Sequence, residues 1–236
     1  MHHTGAAQSG MLPIGDFSFL EEEDISSLYH DWKSWTGEED YGYICSVDLI
    51  YPEELHENRD AFPLAPEKME VTYNDLSPTS RQLLEKSGII SHKQIKLLSH
   101  LGPRKDYVVY YTTLKTYLKL GLKLDKINKV LQFKQKKFAK DYIQDITQRR
   151  ANCIGEIYQL LYKNLSNANF GKSIQNMRGL LQVIYTSNED EFAKLVVKSK
   201  FNDFKIINED FVQVNMKQKK CFLNKAYAVG LVILDR

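Results

Sequence analysis

The stretch LLYKNLSNANFGKS, residues 160–173, decides how the rest of the chain is read. It closes a run from about residue 137 to residue 169 with no proline, one glycine and apolar residues at helical spacing. With Lys163 as reference and about 100° per residue, Asn167 lies about 40° away and Phe170 about 20°. Gln159, Glu156, Asn152 and Arg149 fall within about 40° of the same line. That stripe is polar, with cations at Arg149 and Lys163 about 21 Å apart on one continuous helix. Ile154, Ile157, Leu161, Leu165 and Ala168 form the opposite, apolar face. Spacing alone leaves two readings: a solvated helix face stopped by a glycine, or a cationic face that holds a phosphate chain. The residue types favour the second. A lysine is a compact charge for phosphate oxygens, an asparagine one turn on supplies hydrogen bonds, and an aromatic further along offers a flat face to a base. Gly171 directly after it lets another chain come close.

The chain around this stretch has 236 residues, 43% hydrophobic and 26% charged, enough for one large or two small domains with a real core. No segment approaches the roughly 18 consecutive apolar residues of a membrane span, and MHHTGAAQSG is not a signal peptide. The chain is therefore expected inside the cell, with the nucleus one candidate compartment and no membrane partner. Cys45, Cys153 and Cys221 are widely separated and without metal-ligand spacing, so each reads as a small buried apolar residue and no metal is expected. The net charge of +2 conceals segregation: residues 16–75 hold 17 acidic and 3 basic side chains, residues 91–172 hold 17 basic and 5 acidic. Either the basic half meets a polyanion, or the two halves pack and neutralise each other.

Residues 1–10 read as a loose tail, and EEEDISSLYHDWKSWTG as a short helix ending at Gly37. YGYICSVDLIYP reads as a strand closed by Pro52, and the three-proline segment after it as an extended connection. SPTSRQLLEKSG has the marks of a helix, with Ser77 or Thr79 as cap and Gly88 as stop. KDYVVYY is a strand, and TTLKTYLKLG a helix capped by Thr112 or Thr113. In LDKINKVLQFKQ, Ile127, Leu131 and Phe133 alternate with Lys126, Asn128, Val130 and Gln132, as in a half-buried strand. DEFAKLVVKS reads as a short helix. NDFKIINEDFVQVNM and KCFLNKAYAVGLVILD read as a hairpin with residues 217–220 at its tip. The mixed order predicts an α+β fold.

Lys163-x-x-x-Asn167-Ala168-x-Phe170-Gly171 resembles the fingers motif of family B DNA polymerases, Lys-x-x-x-Asn-Ser-x-Tyr-Gly. The longer string YKNLSNANFGKSIQNMR is similar to the version in protein-primed members, which serve organelles, viruses, linear plasmids and Polinton or Maverick transposons. GYICSVDLIYPEELHENRDAFPLAPEKMEV, LGPRKDYVVYYTTLKTYLKLGLKLDKINKVLQFKQ and KKCFLNKAYAVGLVILD resemble the stretches around that motif. The likeness extends over residues 11–235. It implies a partial polymerase palm with a mixed or antiparallel sheet and a long fingers helix. Residues 1–40 would be an acidic leader and 41–148 part of the palm with an inserted α+β region. Residues 149–180 would be the fingers, and 181–236 a hairpin returning to the palm. By the same likeness Lys163 contacts the incoming triphosphate, with Arg149 or Arg150 as the second cation. Asn167 orders the site, Phe170 packs on the nascent base pair, and Gly171 belongs to the same nucleotide-binding set. DNA would lie along Lys134, Lys136, Lys137, Lys140 and Lys172, and a priming (terminal) protein would be a partner. Ala168 stands where the motif has serine, and Gly155 interrupts the helix at a cost of about 1 kcal/mol.

Polymerisation needs two carboxylates that hold magnesium. Neither the Asp-x-x-Ser-Leu-Tyr-Pro motif nor the Asp-Thr-Asp turn of the family occurs here. Asp48 in SVDLIYP stands three residues before Tyr51 rather than five, and NEDE at 188–191 reads as a solvated turn. No catalytic residue and no metal ligand is therefore expected in this chain. Magnesium belongs to a complete polymerase, and this chain alone is expected not to polymerise. His30, His56, His92 and His100 have no nucleophile at triad spacing, and no phosphate-binding Gly-x-x-x-x-Gly-Lys loop occurs. Three functions follow in order: a fragment or relic of such a polymerase, a non-catalytic nucleic-acid-binding protein, and an interaction module that uses its segregated charge.

Overall fold

The computed structural model describes residues 3–59, 61–88, 93–218, 220, 222 and 224–236. The strands are β1 (Leu12–Phe19), β2 (Tyr41–Ile50), β3 (Glu67–Thr72), β4 (Lys93–Leu98), β5 (Arg104–Tyr110), β6 (Lys123–Lys136), β7 (Leu181–Thr186), β8 (Phe201–Asn208) and β9 (Phe211–Lys217). The helices are α1 (His3–Gln8), α2 (Glu22–Asp31), α3 (His56–Arg59), α4 (Pro78–Lys86), α5 (Tyr111–Lys119), α6 (Lys140–Asn152), α7 (Glu156–Ser173), α8 (Glu189–Val196) and α9 (Tyr227–Asp235). The fold is α+β, as expected. Two units divide it, residues 1–145 with 232–236, and residues 146–231. Among the described residues no helix is long and apolar enough to cross a membrane.

The first unit is built on an antiparallel sheet of order β1-β6-β2-β5. The Tyr/Ile/Val-rich run at residues 41–50 is its β2, with Cys45, Val47 and Leu49 buried on one face. Burial of Cys45 pushes its thiol up to about 12. The alternation expected of β6 breaks twice, at Asn128 and again at Asp125, where Asp48 pairs with Lys126 but Leu49 with Leu124. Ser46 pairs with Lys129 but Val47 pairs with Ile127, so Asn128 is an extra residue. That bulge lets Ile127 and Val130 both be buried. A further bulge lies in β5, where Asp106 has φ 49°. Asp48 sits between the Asn128 bulge and the β5 bulge. It accepts hydrogen bonds from the Asp106 N–H (2.9 Å), Asn128 Nδ2 (2.8 Å) and Lys105 Nζ (3.2 Å). These bonds, the Asp106 N–H first, hold its carboxyl below the usual range.

Arg104, at the start of β5, is 1% exposed, and its guanidinium closes the excursion that carries β3, α4 and β4. It donates to the carbonyls of Ala65 (2.6 Å), Leu64 (3.0 Å), His100 (2.7 Å) and Gly102, and to His100 Nδ1 (3.0 Å). The excursion itself is a β3–β4 antiparallel pair rather than the extended connection expected after Pro52. Its helix α4 has the signals read from the sequence: Ser77 Oγ accepts from the Ser80 N–H, and Gly88 has φ 73°.

The cap expected of α5 is not Thr112 or Thr113. Its N-cap is Tyr110, whose N–H donates to the Asp235 carboxylate at 2.5 Å, while Thr113 Oγ1 donates to the Asp235 carbonyl at 2.5 Å. An acid remote in sequence thus stands where a local side chain would. Residues 1–10 are not a loose tail throughout, because α1 buries Ala7 and Gln8. The ion pairs Glu38–Lys137, Asp48–Lys105 (3.2 Å) and Glu70–Lys93 (3.1 Å), with the Glu67–His100 hydrogen bond (2.7 Å), all join the acidic segment to the basic one. Within this unit the segregated charges meet each other.

The second unit contains the end of α6, then α7, and a three-stranded antiparallel sheet of order β7-β9-β8. Its core is Leu195 of α8 against Val214 and Met216, with Ile184, Phe192, Phe201 and Val212 around it. The hairpin is β8–β9, and Asn208 pairs with Phe211, so its tip is at residues 209–210 instead of 217–220. The expected final strand is instead helix α9. Its apolar run is nearly continuous, and such a run carries no period to separate strand from helix. Cys221, His92 and Lys219 lie outside the described residues.

Candidate nucleotide and nucleic-acid site

The long helical run is two helices. Residues 153–155 leave helical geometry, and Gly155, with φ 99°, is the N-cap of α7. A left-handed φ is accessible to glycine and strained for other residues. The polar stripe from Arg149 to Lys163 is therefore not one helix face, and the two cations share no common helix axis. Arg149 and Arg150 occupy the last turn of α6, Arg149 exposed and Arg150 half-buried. Lys163, Asn167, Phe170 and Gly171 remain together on α7.

On α7 the burial reverses the usual amphipathic arrangement. The apolar residues face out, with Ile154, in the connection just before it, 93% exposed and Ile157 81%, and with Leu161 and Leu165 exposed too. The half-buried residues are Tyr162, Lys163, Ser166, Phe170 and Ser173, one stripe at helical spacing. Lys163 makes no hydrogen bond or ion pair with any described residue, and Asn167 is exposed. A lysine on the half-buried stripe whose ammonium pairs with no described residue is available to an anionic ligand. A Cβ built on Gly171 would meet nothing within 4 Å, so the chain's own packing does not require a glycine there.

The C-terminal end of α7 is firmly held. Ser173 Oγ donates to the Phe170 carbonyl at 2.7 Å, and Tyr227 Oη of α9 donates to the Gln175 carbonyl at 3.1 Å. Gly230 of α9 makes the closest approach: a Cβ there would lie 2.0 Å from Ile174 Cγ2 and 2.7 Å from Ser173 Oγ. Asn176 then caps the 3₁₀ turn Met177–Gly179 by accepting from the N–H groups of Arg178 (3.1 Å) and Gly179 (3.3 Å). Sequence reasoning missed this second anchor, although Arg178 stands at the end of the quoted motif string.

The lysines expected along DNA divide between the units. Lys134, Lys136 and Lys140 are exposed and belong to the first unit, as does Lys137, which is ion-paired with Glu38. Lys172 belongs to the second and donates to Gln175 Oε1 at 3.2 Å. Among the described residues no three His, Cys, Asp or Glu side chains converge to hold a metal ion, and Asp48 has its carboxylate occupied by three donors.

The antiparallel four-stranded sheet and the helix that carries Lys163, Asn167, Phe170 and Gly171 define a mixed α+β fold. The chain belongs to the family described as DNA polymerase type B, organellar and viral, which matches residues 7–226. No curated protein matches it in sequence. Among solved structures it is similar to phi29 DNA polymerase with primer-template DNA, at 15% identity and TM-score 0.53 over 99% of this chain. It is also similar to the same enzyme with primer-template DNA and incoming nucleotide, at 14% identity and TM-score 0.52 over 98%. The orthorhombic crystal form of that polymerase gives 14% identity and TM-score 0.50 over 99%. The chain spans about a third of the length of those polymerases, 31–32%.

Proposed function

We propose that this chain supplies the fingers and adjoining palm of a protein-primed family B DNA polymerase, that it binds dNTP and DNA, and that it does not polymerise alone. The observation that carries the reading is Lys163: a half-buried residue on α7 whose ammonium pairs with no described residue, at the motif position that, by resemblance, holds the triphosphate in the family this chain matches. Asn167 and Phe170 follow it on the same helix, and Gly155 sets where that helix begins. The two carboxylates for Mg²⁺ would come from polypeptide other than these residues, and a priming protein is the partner this reading implies. The similarity to phi29 DNA polymerase solved with primer-template DNA and nucleotide supports the ligand classes. Lys163→Ala removes a charge-assisted contact of about 1.5–3 kcal/mol, so dNTP affinity should fall about 10- to 150-fold. Hydrogen exchange of α7 with and without dNTP reads this directly. Equal protection in wild type and variant would refute the role of Lys163.

The ion pairs between residues 38–70 and 93–137 favour a second reading of the charge segregation, internal neutralisation within the first unit. Under it, Lys134→Gln and Lys136→Gln leave DNA affinity nearly unchanged, whereas a DNA-facing strand would lose affinity in both.

A further inference from the structure

In the first unit, the β3–α4–β4 excursion leaves and rejoins the chain through a neck, residues 64–67 on one side and 100–104 on the other, and His100 stands in it. Its ring is bonded at both nitrogens. Nδ1 accepts from the Gly102 N–H at 3.1 Å and from Arg104 Nη1 at 3.0 Å. Nε2 lies 2.7 Å from Glu67 Oε1 on β3. A main-chain N–H and a guanidinium can only donate, so Nδ1 carries no hydrogen, and the ring's hydrogen is on Nε2, donated to the Glu67 carboxylate. The neighbours of His100 thus fix both its tautomer and its neutral state. The side chains of His100 and Glu67 are 25% and 23% exposed, so solvent protons reach the ring, whereas Arg104 is 1% exposed. The charged groups at the ring are Glu67 from β3 and Arg104 from β5. Around the guanidinium stand Tyr107 of β5, Tyr117 of α5 and Tyr51 after β2, with the His56 ring of α3 centred 5.8 Å from that of Tyr51.

A proton arriving at Nδ1 meets two donors and no acceptor. The Gly102 N–H and Arg104 Nη1 then lose their acceptor, and two cations face each other across 3.0 Å. Arg104 is too buried to turn to water, and an orphaned buried donor carries its full desolvation penalty. The compensation is a stronger pair between Glu67 and the imidazolium. It is small, because both side chains are partly in water. We infer that His100 is a proton-operated latch on the β3–α4–β4 excursion: the neutral ring ties residues 100–104 to residues 64–67, and a solvent proton on Nδ1 releases the Arg104 contact and loosens the excursion. The sign follows from the bonds. The neutral ring makes them, so the latch is closed at higher pH and opens as pH falls. It involves neither nucleotide nor DNA, so its failure leaves the proposed function untouched.

The test is hydrogen exchange of the full chain between about pH 7.5 and about pH 5.5, the range in which histidines act as switches. Amides of β3 and β4 are read against those of β2 and β6 in the same sample, which cancels the intrinsic pH dependence of exchange. Opening coupled to uptake of one proton changes by up to about tenfold per pH unit, so β3–β4 protection should fall by about tenfold relative to the sheet. His100→Asn keeps an acceptor near the Nδ1 position and does not titrate, so it should abolish the pH dependence. His56→Gln removes the neighbouring titratable ring and should leave that dependence in place. In wild type at neutral pH, long-range ¹H–¹⁵N correlation of the imidazoles should show the His100 hydrogen on Nε2. The latch is overturned by wild-type β3–β4 protection that stays level with that of the sheet, or by a His100 hydrogen on Nδ1 at neutral pH. A pH dependence that persists in His100→Asn or vanishes in His56→Gln overturns it too. Both wild-type measurements stand without a variant, so they decide the matter even if His100→Asn does not fold.

Discussion

Arg104→Met tests what holds the first unit's insertion in place. The guanidinium serves four main-chain carbonyls, those of Leu64, Ala65, His100 and Gly102, and faces Glu67 at 3.8 Å. Each buried acceptor left without a donor costs about 1–3 kcal/mol. Some of these carbonyls are half-buried and will find water, and the methionine fills part of the slot. The net loss should therefore fall near the 3–5 kcal/mol typical of removing one partner from a buried charged network. Against a total stability of about 5–15 kcal/mol that is a large fraction. Arg104→Lys keeps a charge but has three donors on one atom, and cannot reach carbonyls contributed from both residues 64–65 and residues 100–102. It should lose about half as much as methionine. Urea unfolding followed by far-UV circular dichroism gives both values if the slope with denaturant is unchanged. A methionine variant within about 0.5 kcal/mol of wild type would refute the idea that this fork closes the excursion.

Gly230→Ala places a methyl 2.0 Å from Ile174 Cγ2, so α9 or the end of α7 must shift; overpacking of this kind costs about 1–3 kcal/mol, and Ile174→Ala in the same chain should recover part of it. Asp235 has its carboxyl raised to about 6 by burial, with the Tyr110 N–H opposing. Its contribution to stability is present below the unfolded value near 3.8 and is lost as pH rises through about 6, so Asp235→Asn should flatten that loss between pH 4 and 6. Glu39 has the opposite sign: burial alone would raise it, but bonds led by the Tyr111 hydroxyl (2.6 Å) hold it down at about 2. Its stabilisation is full above pH 4.5 and fades as pH falls toward 2, so Glu39→Gln should remove that part of the acid sensitivity in unfolding curves.

Features with a local cause were readable before folding. Ser77 and Gly88 bracket α4 because a cap hydroxyl and a left-handed glycine act within one turn. Residues 41–50, 104–110 and 123–136 are strands because β-branched and aromatic side chains favour a pleated surface. The motif at residues 163–171 marked the family together with the longer strings around it. Tertiary structure decided the rest. A mid-helix glycine costs only about 1 kcal/mol, so nothing local dictated that Gly155 would part α6 from α7. The bulge at Asn128 follows from pairing with β2, which brings Asp48 beside it from 80 residues away. Arg104 looked like one more basic residue until residues 64–67 and 100–102 closed around it. The sequence also showed two faces on α7, but which one turns inward depends on what the second unit packs against it. Periodicity is a property of one element, whereas burial, pairing and charge compensation belong to the contacts between elements, and those exist only after the chain has folded.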